Sequence, residues 1–279
     1  MEQLSFFQNT DPRPPESVTW NLWSGCSRVS QGCAHCYMYR RFESVGKDPT
    51  IVQKTQNFNL PTRILRGGKY KGLYKIPSGS TFLTCFSSDF FHKDADEWRD
   101  EAWAMMKERR DCSFFMITKR PERIKDHLPF DWETEYTHVE IAVTCENQWA
   151  ADKRLPVYLE LPLHRFSVMV EPMIGPVNLR KYLAARKIGH VSVGGESGPD
   201  ARICDYGWVL DLHVQCVEHN VPFTYHQTGA RLLKKGRIYE IPREKQHEQA
   251  RKARLDYGGG LALPVWATTD SGQMRVDDE

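Results

Sequence analysis

Three cysteines fall within eleven residues, Cys26, Cys33 and Cys36, in a Cys-x6-Cys-x2-Cys pattern. Thiolates this close, with Gly25 and Gly32 to let the backbone fold around a centre, suit a soft metal ion or an iron–sulfur cluster. A closed structural zinc site takes four protein ligands, whereas a centre with three leaves one position for something else. Three cysteines on a [4Fe-4S] cluster would leave one iron open to a small molecule. The same spacing also suits a structural zinc site completed by His35 or a distant residue, and free buried thiols remain a further reading. A disulfide framework fits least. Eight cysteines in 279 residues is sparse, and the polar start of the chain reads as no export signal.

Polar residues elsewhere fall in phase with a repeating pattern. Short apolar runs, Val18–Trp20, Thr81–Phe86, Ser113–Ile117, Val139–Val143, Phe166–Val170, His190–Val193 and Pro222–Tyr225, read as strands. Helix-capable stretches separate the later runs, among them Trp98–Arg109, Gln148–Leu159, Leu179–Arg186 and Tyr206–His219. Strands alternating with amphipathic helices mean βαβ units, so the expected fold is α/β. The spacing predicts an open or partial (β/α) barrel of about six to seven parallel strands over residues 18–230. Nearly every run ends in polar residues: Ser88 and Asp89, Lys119 and Arg120, Glu146 and Asn147, Glu171, Glu196, Gln227. In a parallel barrel those ends converge on the face that carries the active site, where the three-cysteine loop would join them.

The remaining segments are of different character. Residues 1–17 read as a polar leader with a stiff Asp11-Pro-Arg-Pro-Pro entry. An insertion at 46–80 interleaves Arg63, Arg66, Lys69, Lys71 and Lys75 with Tyr70 and Tyr74. That mixture suits a phosphate backbone with stacked bases and equally suits a solvated loop. Residues 231–279 read as a basic extension, one or two helices on the rim followed by a tail beyond Gly258-Gly259-Gly260. With 40% hydrophobic residues, 27% charged residues and a net charge of +2, the composition is that of a globular protein. No apolar run approaches the roughly 20 residues of a membrane span, and a cytoplasmic location is expected.

The motifs around these positions resemble those of a family of phage and bacterial proteins related to the radical S-adenosylmethionine (SAM) enzymes, a family without an assigned reaction. The resemblance rests on Thr19-Trp20-Asn21, Gly25-Cys26, Gly32-Cys33, Cys36-Tyr37, Ser88-Asp89-Phe90-Phe91-His92 and Thr118-Lys119-Arg120-Pro121. It continues through Glu146-Asn147-Gln148, Glu171-Pro172-Met173, Gly194-Gly195-Glu196-Ser197 and Gln227-Thr228-Gly229, in order over about residues 18–230. It implies a [4Fe-4S] cluster on Cys26, Cys33 and Cys36, with SAM as second cofactor. Reductive cleavage of SAM would release a 5′-deoxyadenosyl radical that abstracts hydrogen from a substrate.

The resemblance also implies the remaining site residues. Tyr37 would lie next to the cluster. In radical SAM enzymes a Gly-Gly-Glu after the second strand holds the SAM amino group. Here Gly194-Gly195-Glu196 follows about the sixth strand, so Ser88 or Asp89 is expected in that task. Gly194 and Gly195 would allow close approach to the cofactor, with Glu196, Glu146 and Asn147 beside it. The first cysteine gap is three residues longer than the usual Cys-x3-Cys-x2-Cys. Lys119, Glu171 and Cys145 are the candidate catalytic residues, Cys145 for radical quenching or otherwise as a packed small residue. Cys112, Cys204 and Cys216 read as core thiols. The expected function is a radical SAM-type enzyme on a nucleic-acid or nucleotide-like substrate; the alternative is a non-catalytic zinc- or cluster-containing protein that binds nucleic acid or a partner. Expected partners are an electron donor of flavodoxin or ferredoxin type and a three-cysteine-motif protein.

Overall fold

The computed structural model describes residues 11–259. Seven strands form one parallel sheet: β1 Ser17–Trp20, β2 Thr81–Thr84, β3 Ser113–Thr118, β4 Val139–Thr144, β5 Phe166–Val170, β6 Ile188–Gly194 and β7 Phe223–Gln227. Their order across the sheet is their order along the chain, and β1 and β7 are its edges. Each crossover therefore steps to the adjacent position. The sheet curls into a half-barrel and stays open on one side, as the sequence pattern predicts.

Alternation along the strands sorts side chains between two faces. Phe82, Phe114, Met116, Ile141, Val168 and Val191 enter the main core on the convex face. There they meet helices α2 (Asp96–Glu108), α3 (Gln148–Tyr158) and α4 (Tyr206–Glu218) through Trp103, Leu155 and Leu212. Leu83, Phe115, Ala142 and Met169 point the other way and form a small separate cluster on the concave face. That concave cluster is the floor beneath the site.

The insertion at 46–80 starts against the cysteine loop, where Cys26 N donates to the Pro49 carbonyl at 2.8 Å, and its later part packs outside the barrel. Trp20 Nε1 donates to the Asn57 and Phe58 carbonyls at 3.1 and 3.0 Å. Arg109 lies over the Tyr74 ring, 4.2 Å from its centre, and donates to the Pro61 and Ile76 carbonyls. The Tyr74 hydroxyl donates to Glu108, and Arg13 of the leader stacks on Tyr70. Both tyrosines of the basic–aromatic pattern are thus committed to contacts within the chain.

The extension after Gly229 contains one helix of the one or two expected there, preceded by a hairpin that was not expected. Arg231–Lys234 and Arg237–Glu240 form an antiparallel hairpin that adds to Cys204–Asp205. Lys235 and Gly236 both take positive φ, 52° and 75°, which is what a two-residue hairpin turn needs. Charge density masked that signal in the sequence. Helix α5 (Arg243–Lys252) follows and packs beside β7. Helix α1 (Tyr37–Ser44) starts directly after the third cysteine. The leader's first ten residues and the tail beyond 259, with its acidic end Asp277–Glu279, lie outside the described residues.

Candidate functional site

A cavity of about 340 Å³ opens at the C-terminal ends of the strands, within the size range of small-molecule pockets. Cys26, Cys33 and Cys36 all line it, together with Tyr37. The concave cluster forms its apolar floor through Leu83, Phe115, Ile117 and Met169. Gly25 turns the cysteine loop at φ 91°, and any side chain there would collide with the Ile51 carbonyl 2.0 Å away. Only glycine fits that crossing.

The loop is braced from three directions by residues at strand ends. At the first, Arg120 donates to Asp89 at 2.8 Å and to the Ser27 carbonyl and hydroxyl at 2.9 Å. Its guanidinium also lies 3.8 Å from Cys26 Sγ. Burial pushes the Cys26 thiol up to about 11, with the Arg120 charge pulling it back. At the second, buried Glu146 accepts from the Ser30 hydroxyl and from Gly32 N at 3.3 Å, while Arg154 holds its other oxygen at 2.5 Å. At the third, Arg202 grips both oxygens of Glu196 at 2.5 and 2.9 Å and donates to the Gln31 carbonyl. Arg40 adds a tie between the His35 and Ser197 carbonyls. In each carboxyl burial pushes the pKa up, but the arginine charge and the hydrogen bonds the carboxylate accepts together outweigh it, so Asp89, Glu146 and Glu196 stay below their usual range.

A fourth group stands on the same cavity. Glu171, beyond β5, accepts from His226 Nδ1 at 2.9 Å and from Gln227 Nε2 at 2.7 Å. Burial disfavours the charge on both groups, yet their mutual attraction wins: Glu171 is held below its usual pKa and His226 above it. His247 of α5 sits edge-on to His226, ring centres 4.7 Å apart. A carboxylate–imidazole pair of this kind can carry a proton.

The family described as "Protein of unknown function (DUF5131)" matches residues 16–258. The chain belongs to this family. Neither the curated proteins nor the solved structures yield a match. The family's span takes in the outer insertion, the hairpin and α5, so the helix that contributes Arg243, Gln246 and His247 to the cavity lies inside it.

Of the residues singled out in the sequence, Ser88, Asp89, Lys119, Glu171, Gly195 and Glu196 line the cavity with the cysteines and Tyr37. Several of them are also tied into the surrounding structure. Asp89 already accepts from Thr118, Lys119 N, Arg120 and Phe91 N, and Glu196 is clasped by Arg202. Ser88 donates its hydroxyl to the Gly25 carbonyl and Tyr37 to the Phe86 carbonyl at 2.5 Å. Glu146 lies behind the loop, and Asn147 caps α3 by accepting from Ala150 N at 2.9 Å. Gly194 stands behind Glu171, where a side chain would meet its carboxylate at 2.7 Å. Cys145 is fully buried in the main core, and burial pushes its thiol far above the usual range.

Sequence reasoning missed Arg154, Arg202, His226, Arg243 and His247. Two left a trace. His226 continues the concave phase of Ser192 and Thr224, and Arg154 sits on the otherwise apolar buried face of α3 with Ala150, Ala151, Leu155 and Tyr158. The rest are placed by chain crossings that no local pattern announces.

Among the described residues no three His, Cys, Asp or Glu side chains close around a single ion. A cluster's thiolates each take a different iron, so its ligands stand wider apart than those of one ion.

Proposed function

We propose that this protein is a radical SAM-type enzyme, with a [4Fe-4S] cluster on Cys26, Cys33 and Cys36 and a nucleic-acid or nucleotide-like substrate. The observation that carries the reading is the convergence of all three thiols on one cavity at the C-terminal mouth of a parallel half-barrel. The donor set fits such a cluster: three soft ligands on one loop, a guanidinium beside one sulfur, and no fourth cysteine among the lining residues except Cys85. When bound, cluster and SAM together supply reductive cleavage to a 5′-deoxyadenosyl radical, chemistry that belongs to the cofactors.

The chain's own residues do the positioning. Glu146, Arg120, Arg202 and Arg40 fix the cysteine loop. The apolar floor of Leu83, Phe115, Ile117 and Met169 excludes water. Glu171 and His226 hold a proton at the His226–Glu171 contact, where a substrate group can give or receive it.

Anaerobic reconstitution with iron and sulfide, reduction, and chromatography for 5′-deoxyadenosine from added SAM tests the reading. Deoxyadenosine that disappears in Cys33→Ala is the expected result. Stoichiometric zinc with SAM left intact sinks it and favours a binding protein without catalysis.

A further inference from the structure

The charges lining the cavity do not balance. Three carboxylates face it, Asp89, Glu171 and Glu196, and each is matched: by Arg120 at 2.8 Å, His226 at 2.9 Å and Arg202 at 2.5 Å. Lys119 and Arg243 line the same cavity, and among the described residues neither has a carboxylate within ion-pair distance. The contrast within α5 is informative. Lys245 and Lys252 share Glu248, whereas Arg243, exposed at the mouth of the cavity, has no such partner among the described residues. Two surplus cations at a partly enclosed site favour an anionic ligand, because low-dielectric walls strengthen the attraction.

A second, independent observation lies deeper. Thr144 is fully buried and lines the cavity, and its Oγ1 has no hydrogen-bond partner. A buried hydroxyl without a partner costs free energy that a bound ligand recovers. It stands next to the apolar surface of Phe115, Ile117 and Met169, with the hydroxyls of Ser192 and Thr224 further along the same wall. The ligand that matches all three features has apolar flat faces, a hydrogen-bonding edge and an anionic group.

We propose that the cavity takes a nucleotide unit, its base over the apolar floor with an edge toward Thr144, and its phosphate charge matched by Lys119 and Arg243. This rests on the radical SAM reading and names the substrate end of that same site. The insertion at 46–80 has no part in it, since none of its residues lines the cavity. A base paired within a duplex cannot reach such a floor, so a nucleotide from a strand must arrive unstacked.

The test uses the full chain, reconstituted and saturated with SAM so that any adenosine site is filled. Binding of the four common nucleoside 5′-monophosphates is compared with that of their nucleosides, and a labelled single strand with its duplex. At least one monophosphate should bind about tenfold tighter than its nucleoside. Lys119→Ala and Arg243→Ala should each remove most of that advantage, Arg243→Lys should restore part of it, and Lys69→Ala with Lys71→Ala should leave it intact. If the single strand binds, each lost cation should lower the slope of log K against log salt by about 0.7. Full competition by a monophosphate identifies a free nucleotide, and weak competition a nucleotide within a strand; both support the site. Equal binding of nucleoside and monophosphate, no binding of either, or an advantage that survives both alanine variants overturns it. Deoxyadenosine formation is read separately. Phosphate discrimination without SAM cleavage removes only the radical reading, and SAM cleavage without discrimination removes only this one.

Discussion

Glu146 separates loop positioning from fold stability, because one buried carboxylate serves both. Its side chain is fully buried, with Ser30 and Gly32 of the cysteine loop on one oxygen and Arg154, itself only 4% exposed, on the other. Glu146→Ala leaves the Arg154 charge buried and uncompensated, a loss of about 3–5 kcal/mol. For a chain of this length roughly 2 °C accompany each kcal/mol, so the melting temperature should fall by about 6–10 °C. The double variant Glu146→Leu with Arg154→Met removes both charges and keeps the volume. Its stability should return to within about 2 kcal/mol of the parent, the residue being the Thr144 carbonyl that Arg154 also serves. Loop anchoring does not return, since Ser30 and Gly32 have lost their acceptor in both variants. Urea unfolding of the cluster-free protein, paired with iron content and visible absorption after reconstitution, reads the two effects apart. A double variant that is stable yet poor in iron is the expected outcome. One that is stable and takes up iron as the parent does would refute the assignment of Glu146 as an anchor of the cysteine loop.

Three further predictions follow from the same geometry. Gly195→Ala places a methyl 2.4 Å from the Thr228 carbonyl and 2.8 Å from Gly229, so the ends of β6 and β7 must separate at a cost of about 1–3 kcal/mol or more, visible as a lowered urea midpoint. Asp89→Asn, which strips the buried Arg120 of its charge partner, should cost several times more than Ser88→Ala, about 3–5 against about 1 kcal/mol; the reverse order in urea unfolding would be inconsistent with the bonding around Arg120. The Glu171–His226 pair gives a pH signature. His226, raised above 6.5, contributes fully below that value and its contribution is lost as pH rises through the raised pKa; Glu171, lowered below 4.5, contributes fully above that value and loses it as pH falls through the lowered pKa. The stability difference between the parent and Glu171→Gln should therefore be largest between about pH 4.5 and 6.5 and shrink on either side. A difference that does not change with pH would show that the two groups are not a charged pair.

What the sequence determined by itself is the periodic part of the molecule. All seven strands lie where the apolar runs predict, with Phe166–Val170 reproduced to the residue, because burial between helices and a concave floor demands apolar side chains on both faces. The cysteine spacing marked the loop, and the parallel architecture then brought Asp89, Lys119, Glu171 and Glu196 to the same mouth.

Tertiary structure alone decided what those residues do there. Glu146 and Glu196 became braces because Arg154 and Arg202 approach them, and an ion pair depends on where two chain segments meet, which a strand-end pattern does not encode. The basic–aromatic insertion suits a phosphate backbone and a solvated loop alike in sequence, and only packing places Arg13 on Tyr70 and Glu108 and Arg109 on Tyr74. The surplus cation Arg243 came from the hairpin and α5, where local charge density hid a turn that only the positive φ of Lys235 and Gly236 reveals. Periodicity records which side of an element is buried. The partner that a buried charge finds is fixed by packing between distant parts of the chain.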